Sequence, residues 1–218
     1  MTGTAGQPGG ESPAARGRHA PPPEIRLPLQ RARLLRAAAA EFAEHGFANT
    51  GSESISRRAG MSKATFYEHF ANKEACILAL FDQAFEVLAR SMAQAARQAG
   101  SGNPRERMRA GTRAFLTAVA EHPDYVRTLL VEIIGAGPAA ARRRDQVLES
   151  FAEILNRENA SAAERGLAAR FASPLDAVAV VGAITELVSR QVRLGDPANP
   201  LELAPVIDRM IDGLLLAG

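Results

Sequence analysis

The apolar positions of this chain recur with a helical period along most of its length. Leu35, Ala38 and Phe42 stand at i, i+3 and i+7, so the spacing predicts a first helix over about 29–45. Gly46 then occupies the usual post-helix position. A short second helix over 52–59 is closed by Gly60, and Ser62 caps a third over 63–70. Asn72 caps a long fourth helix, which carries Ile77, Phe81, Ala84, Phe85, Leu88 and Met92 on one face and ends near Gln98. Five more helical segments follow, at about 104–121, 124–134, 138–163, 173–194 and 200–216. Pro104, Pro123, Pro138, Pro174 and Pro200 lie at or near their starts, where a missing N–H costs no hydrogen bond. No stretch alternates with period two. The predicted fold is all-α with about nine helices.

Segment 1–26 differs from the rest. It is rich in Gly, Pro, Ala and Ser without apolar period, and reads as a disordered arm. Arg16, Arg18 and Arg26 could touch phosphates from it, although a solvated tail is the simpler reading.

Charge sharpens the division of the chain. Between residues 26 and 73, Arg26, Arg31, Arg33, Arg36, Arg57, Arg58, Lys63 and Lys73 face only Glu41, Glu44, Glu53 and Glu68, eight cations against four anions, or +4. After residue 75 there are 16 basic and 17 acidic residues, or −1. A basic head on a near-neutral body suits a polyanion-binding module joined to a part with another task.

Within the basic head, helices 52–59 and 63–70 are joined by a tight turn, the arrangement of a helix-turn-helix. Gly60 tolerates the left-handed backbone of the turn, and Met61 plugs the space between the helices. Phe66 and Phe70 lie at i and i+4 and turn inward against Phe42, Phe47 and Ile55. Lys63, Ala64, Thr65, Tyr67, Glu68 and His69 are left outside. Lys63 at the helix start can donate to guanine O6 and N7. Ala64 or Thr65 can meet a thymine methyl, and Tyr67 and His69 can bond phosphates. Lys73 opens the next helix, where its ammonium and the helix N-terminus could hold a phosphate.

The stretch from Ala32 to Phe81 resembles the DNA-binding domain of the TetR family. The resemblance is carried by Arg31-Leu34/Leu35-Ala38, Gly46-Phe47, Thr50, Ile55 and Ala59-Gly60-Met61-Ser62. Thr65-Phe66-Tyr67-x-His69-Phe70 and Lys73-Glu74 complete it. It implies a DNA-binding domain over 27–87, with its motif at about 51–70, and a ligand-binding and dimerisation domain over 88–218. Thr50 and Ser52 join the expected DNA-contacting set on the same ground. The usual capping Thr or Ser of the second helix is Gly51 here, so Ser52, Thr50 or Gly51 itself must cap. Glu53 would repel phosphate unless Arg57 or Arg58 pairs with it.

The body supports part of this independently. Leu175, Val178, Val180, Val181, Ile184, Leu187 and Val188 cover all sides of the eighth helix, so it should be buried on one side by the core and on the other by a partner. Val206, Ile207, Met210, Ile211, Leu214 and Leu215 give the ninth helix a broad apolar face for the same seam. A homodimer through 173–194 and 200–216 is expected, with a monomer built around a central eighth helix as the alternative. Expected pocket walls are Phe85, Leu88, Phe115, Leu130, Ile134, Phe151, Ile154 and Val181, each of which plain core would also explain. Glu186 is expected as a buried carboxylate, paired with Arg190 or touching a ligand. Arg142-Arg143-Arg144 reads as a solvated helix face.

Catalysis finds no support. His19, His45, His69 and His122 lack metal-ligand spacing, Cys76 sits among apolar residues, and Gly100-x-Gly102 is a plain linker. No catalytic residue, metal or cofactor is assigned. A lone cysteine, no signal-like segment and no long apolar run predict a soluble, cytoplasmic, nucleoid-associated protein without membrane contact. The resulting expectation is a ligand-responsive regulator that binds a palindromic double-stranded DNA operator as a homodimer and is released by a small hydrophobic effector. Repression is what the resemblance implies first, with activation open. A helical small-molecule-binding or interaction protein without DNA binding is the rival class.

Overall fold

The computed structural model describes residues 22–100 and 102–216, with the side chains of 214–216 excepted. Arg16 and Arg18 of the expected arm, and the side chains of Leu214 and Leu215, lie outside the described residues. Among the described residues there are nine α-helices and no strand. They are α1 (Pro23–Asn49), α2 (Ser52–Arg58), α3 (Lys63–His69), α4 (Lys73–Gln98), α5 (Pro104–Glu121), α6 (Pro123–Leu130), α7 (Pro138–Glu164), α8 (Pro174–Leu194) and α9 (Ala204–Leu216). Two short 3-10 turns, Glu132–Gly135 and Pro200–Leu203, follow α6 and precede α9. Among the described residues, no helix is long and apolar enough to cross a membrane.

The caps lie where the sequence signals them. Ser62 Oγ accepts the Thr65 N–H at 3.0 Å, and Asn72 Oδ1 accepts the Ala75 N–H at 2.7 Å. Five helical elements begin on the prolines noted above. The α1 start is the exception. The helix begins at Pro23 and takes up residues expected in the arm, with Pro28 inside it. Pro28 lacks one N–H, but this stretch is largely exposed, so water can serve the freed carbonyl. Gly46 breaks the helix at φ 78°, ψ 156°, a conformation that glycine adopts without strain.

Two apolar clusters build the molecule. The first holds Leu34, Phe42, Phe47, Ile55, Phe66 and Phe70 together with Ile77 and Phe81 of α4. It runs on without a gap into Ile133, Ala136, Ala140 and Val147 of the body. The head is therefore not a bead on a linker; its core is shared with the turn after α6 and the start of α7. The second cluster joins Leu116 and Val119 of α5 to Val180 and Val188 of α8 and Ile207 and Ile211 of α9.

Candidate DNA-binding face and effector cavity

Helix α3 is held from below and free above. Phe66 is fully buried and Phe70 nearly so, their rings 5.4 Å apart. Lys63, Ala64 and Tyr67 are exposed on the opposite side. Tyr67 Oη lies 3.1 Å from Ser52 Oγ, which ties the outer face of α3 to the start of α2. Thr65 is half-buried and its hydroxyl lies 3.0 Å from Ser62 Oγ.

Three expected contacts, Thr50, His69 and Lys73, are placed differently. Thr50 is buried at 3% exposure and its hydroxyl lies 2.8 Å from the Gly46 carbonyl, so it locks the end of α1 rather than facing outward. The α2 cap falls to Gly51, with no side-chain cap bond. His69 Nε2 lies 3.4 Å from Gln30 Oε1 of α1 and is half-buried. Burial holds its pKa below the ordinary imidazole value, only partly countered by the Glu68 carboxylate. Lys73 Nζ donates to the carbonyls of Phe47 at 2.9 Å, Thr50 at 3.1 Å and Ala48 at 3.3 Å, and sits 4.4 Å from the centre of the Phe47 ring. Its three protons cap the end of α1. Lys73→Ala should therefore lower stability by about 2 kcal/mol, since three carbonyls lose a charged donor. Urea denaturation measures this, and the salt slope of DNA binding should stay unchanged.

The carboxylate conflict on α2 is not relieved by Arg58. Arg58 does not reach Glu53. Its Nε donates to Glu41 Oε1 at 2.6 Å and its Nη1 to Glu44 Oε1 at 2.8 Å, with Nη2 on Glu44 Oε2 as well. Glu41 is buried, and desolvation alone would raise its pKa. The Arg58 hydrogen bond and charge, with smaller help from Ser54 and His45, hold it below the ordinary carboxylate value instead. Glu53 and Arg57 remain exposed on α2.

A second node joins head to body. Glu132 Oε2 accepts the Phe47 N–H at 2.8 Å, while Phe47 gives its carbonyl to Lys73. Glu132 also lies 3.5 Å from Arg127 Nε of α6. Nothing in the local sequence signals this carboxylate, because its partner is 85 residues away.

The body holds a half-open cavity of about 390 Å³ between α4, α5, α6, α7 and α8, with Ile211 of α9 also in its wall. Phe85, Leu88, Phe115, Leu130, Phe151, Ile154 and Val181 are among the residues that line it. Ile134 does not; it is 58% exposed on the 3-10 turn. Glu186 does not either. It is exposed and accepts from Arg193 Nη2 at 2.7 Å, because Thr185 takes the buried phase of α8 and turns residue 186 outward. Three guanidinium groups at the cavity, Arg97, Arg107 and Arg144, were not expected there. Arg142 is exposed and Arg143 pairs with Asp82 at 2.6 Å, so the arginine run splits three ways. Cys76 is buried, and desolvation pushes its thiol up to about 12. That pKa suits an inert core residue.

Residues 34–80 match the family model of bacterial regulatory proteins, tetR family. The N-terminal domain is of the TetR family. The chain is also 34% identical to the HTH-type transcriptional activator FasR of Mycolicibacterium smegmatis over 109 residues. That match takes in 49% of this chain and 48% of FasR, so the chain aligns with about half the length of this curated relative. The whole TetR-type architecture recurs in the fatty acid degradation regulator FadR of Bacillus halodurans, with TM-score 0.75 at 17% identity over 84% of this chain and 94% of that one. It recurs again in FadR of Bacillus subtilis, solved in complex with stearoyl-CoA, with TM-score 0.73 at 15% identity over 83% of this chain and 97% of that one. At these identities the TetR-type likeness is one of fold.

Proposed function

We propose that this chain is a ligand-responsive transcriptional regulator that binds a palindromic operator as a homodimer. The observation carrying the reading is the two-sided build of α3. Phe66 and Phe70 anchor it, while Lys63 and Ala64 stand free at its N-terminal end, where recognition helices meet base edges. Tyr67 and Ser52 supply hydroxyls beside them for phosphates, and Arg57 an exposed guanidinium.

Dimerisation is supported by the outer side of α8. Leu175 is 70% exposed and Val178 49%, and Gly182 and Glu186 continue their stripe one and two turns on. A second α8 packed there, with α9 alongside, would cover the stripe and give the two-fold that a palindrome requires. Sedimentation at micromolar concentration should show twice the chain mass; a monomer would remove the dimer.

Effector response is supported by the apolar cavity and its direct connection to the head. Leu129 and Leu130 wall the cavity, and two residues further on Glu132 holds the Phe47 N–H. A ligand that displaces α6 would move the end of α1 and the seat of α2. The stearoyl-CoA complex of the B. subtilis relative supports a hydrophobic effector of the same general kind. Repression by occupying the operator is our first reading. Activation is the second, favoured by the name of the FasR relative. A reporter placed behind the selected operator separates them.

Lys63→Ala should weaken binding to the selected site by about 1–3 kcal/mol and relax preference at one base position. Site selection with the variant checks this, and an unaltered motif would remove Lys63 from base readout.

A further inference from the structure

Phe66 fixes which line of α3 points furthest from the core. At about 3.6 residues per turn, Ala64 and Glu68 stand about 160° and about 200° round the axis from it. Phe66 is fully buried, so these two residues mark the crest of the outer face, and both are exposed. The polar side chains on either flank are already engaged. Tyr67 Oη lies 3.1 Å from Ser52 Oγ on one side. On the other, Thr65 Oγ1 lies 3.0 Å from Ser62 Oγ, and His69 Nε2 lies 3.4 Å from Gln30 Oε1. Among the described residues, no hydrogen bond or ion pair engages the Glu68 carboxylate, although its charge is felt by the adjacent His69 ring.

An unengaged carboxylate on this crest is at odds with a surface that meets DNA. In a groove lined by phosphates it is repelled and loses water, unless a donor meets it there. On the major-groove edges the donors are the N4 amine of cytosine and the N6 amine of adenine. Adenine sets its N7 acceptor beside the amine, and that lone pair repels a carboxylate. Cytosine presents only the donor. Guanine and thymine present acceptors, so a carboxylate rejects both.

From this placement we propose that Glu68 is a specificity-determining residue, whose carboxylate accepts from the N4 amine of one cytosine in each half-site. Lys63 lies five residues earlier, about 7.5 Å along the axis at about 1.5 Å per residue. For a helix lying along the groove, the cytosine therefore falls roughly two base pairs from the guanine given to Lys63, at about 3.4 Å per step. Ala64, one turn before Glu68, has no polar side-chain atom to compete for that edge. The inference rests on the reading that α3 enters the major groove, and deepens it with a second base position of opposite charge logic.

Selection from a random duplex library with the full chain as wild type, Glu68→Ala and Glu68→Gln tests it. Titration of the best wild-type duplex, and of the same duplex with the cytosine pair changed, follows at one fixed salt concentration. The wild type should require cytosine at one position of each half-site and bind the thymine-substituted duplex about tenfold more weakly. Glu68→Ala should accept all four bases there within about twofold. Glu68→Gln should turn the preference to adenine, whose N6 and N7 an amide bonds as a pair. The guanine position assigned to Lys63 should keep its weight in both variants. Because Glu68 is exposed, urea midpoints should match the wild type. A merely solvated charge would alter overall affinity without moving a single base position. A wild-type motif without such a cytosine, or a cytosine preference that survives both substitutions, overturns the proposal and leaves sequence reading by α3 in place. A wild type that enriches no sequence overturns both.

Discussion

Arg58→Met is expected to cost the fold about 3 kcal/mol, the lower end of what breaking a buried ion pair costs, because Arg58 itself is one-third exposed. The loss comes from Glu41. Its carboxylate is 9% exposed and sits under α2, where Arg58 is its ionic partner. Methionine keeps the apolar stem but leaves the charge desolvated and unmatched. The sign of the pH dependence separates this from a generic packing defect. In the wild type Glu41 has a pKa below its ordinary 4.5, so its contribution is present above pH 4.5 and is lost as pH falls through the lower folded value. In the variant, burial without a partner raises the pKa instead, so acidification through that raised value should recover stability. Urea midpoints measured at neutral and mildly acidic pH check both signs. Parallel pH profiles for the two proteins would contradict the assignment.

Phe66→Ala is expected to cost about 3–5 kcal/mol, as for other large-to-small changes at fully buried aromatic sites. Helix α3 is only seven residues long, and Phe66 is its one buried side chain. The ring meets Tyr67 edge-on at 5.5 Å and Phe70 at 5.4 Å, so its removal opens a cavity directly beneath the exposed face. A loss of that size is comparable to the whole stability of a small domain, which is about 5–15 kcal/mol. DNA binding should fall with it, and Phe66→Leu should recover most of both. Thermal melting alongside DNA titration measures the pair. A well-folded Phe66→Ala variant with intact DNA affinity would mean that α3 is not positioned by this anchor.

Much of the architecture could be read from the chain because its punctuation is local. Ser62 and Asn72 cap within three residues of their partners, and a proline at a helix start needs no tertiary support. The inward face of α3 was legible for the same reason, since Phe66 and Phe70 repeat at the helical period. The departures have a common cause: they depend on a partner far away in sequence, or on the phase of a helix with several apolar faces. Lys73 looks like a free cation until the three carbonyls at the end of α1 are seen around it. Thr50 looks like a hydroxyl for DNA until the Gly46 break folds it inward. On α8, apolar residues on every side gave no phase, so Glu186 was misplaced by one position and Thr185 took the buried site. The arginine run on α7 failed in the opposite sense. Composition made it a solvated face, whereas the repeat through Leu148, Phe151 and Leu155 turns Arg144 alone to the cavity.

The central claim is that the head reads DNA sequence through α3. Selection from a random duplex library with the full chain, at a fixed salt concentration near the physiological range, tests it most directly. The account predicts enrichment of an inverted repeat whose half-sites lie about one helical turn or a multiple of it apart, each carrying a guanine that loses its weight when Lys63 is replaced by alanine. Retention governed by salt alone, with no sequence enriched over the starting library, would contradict it.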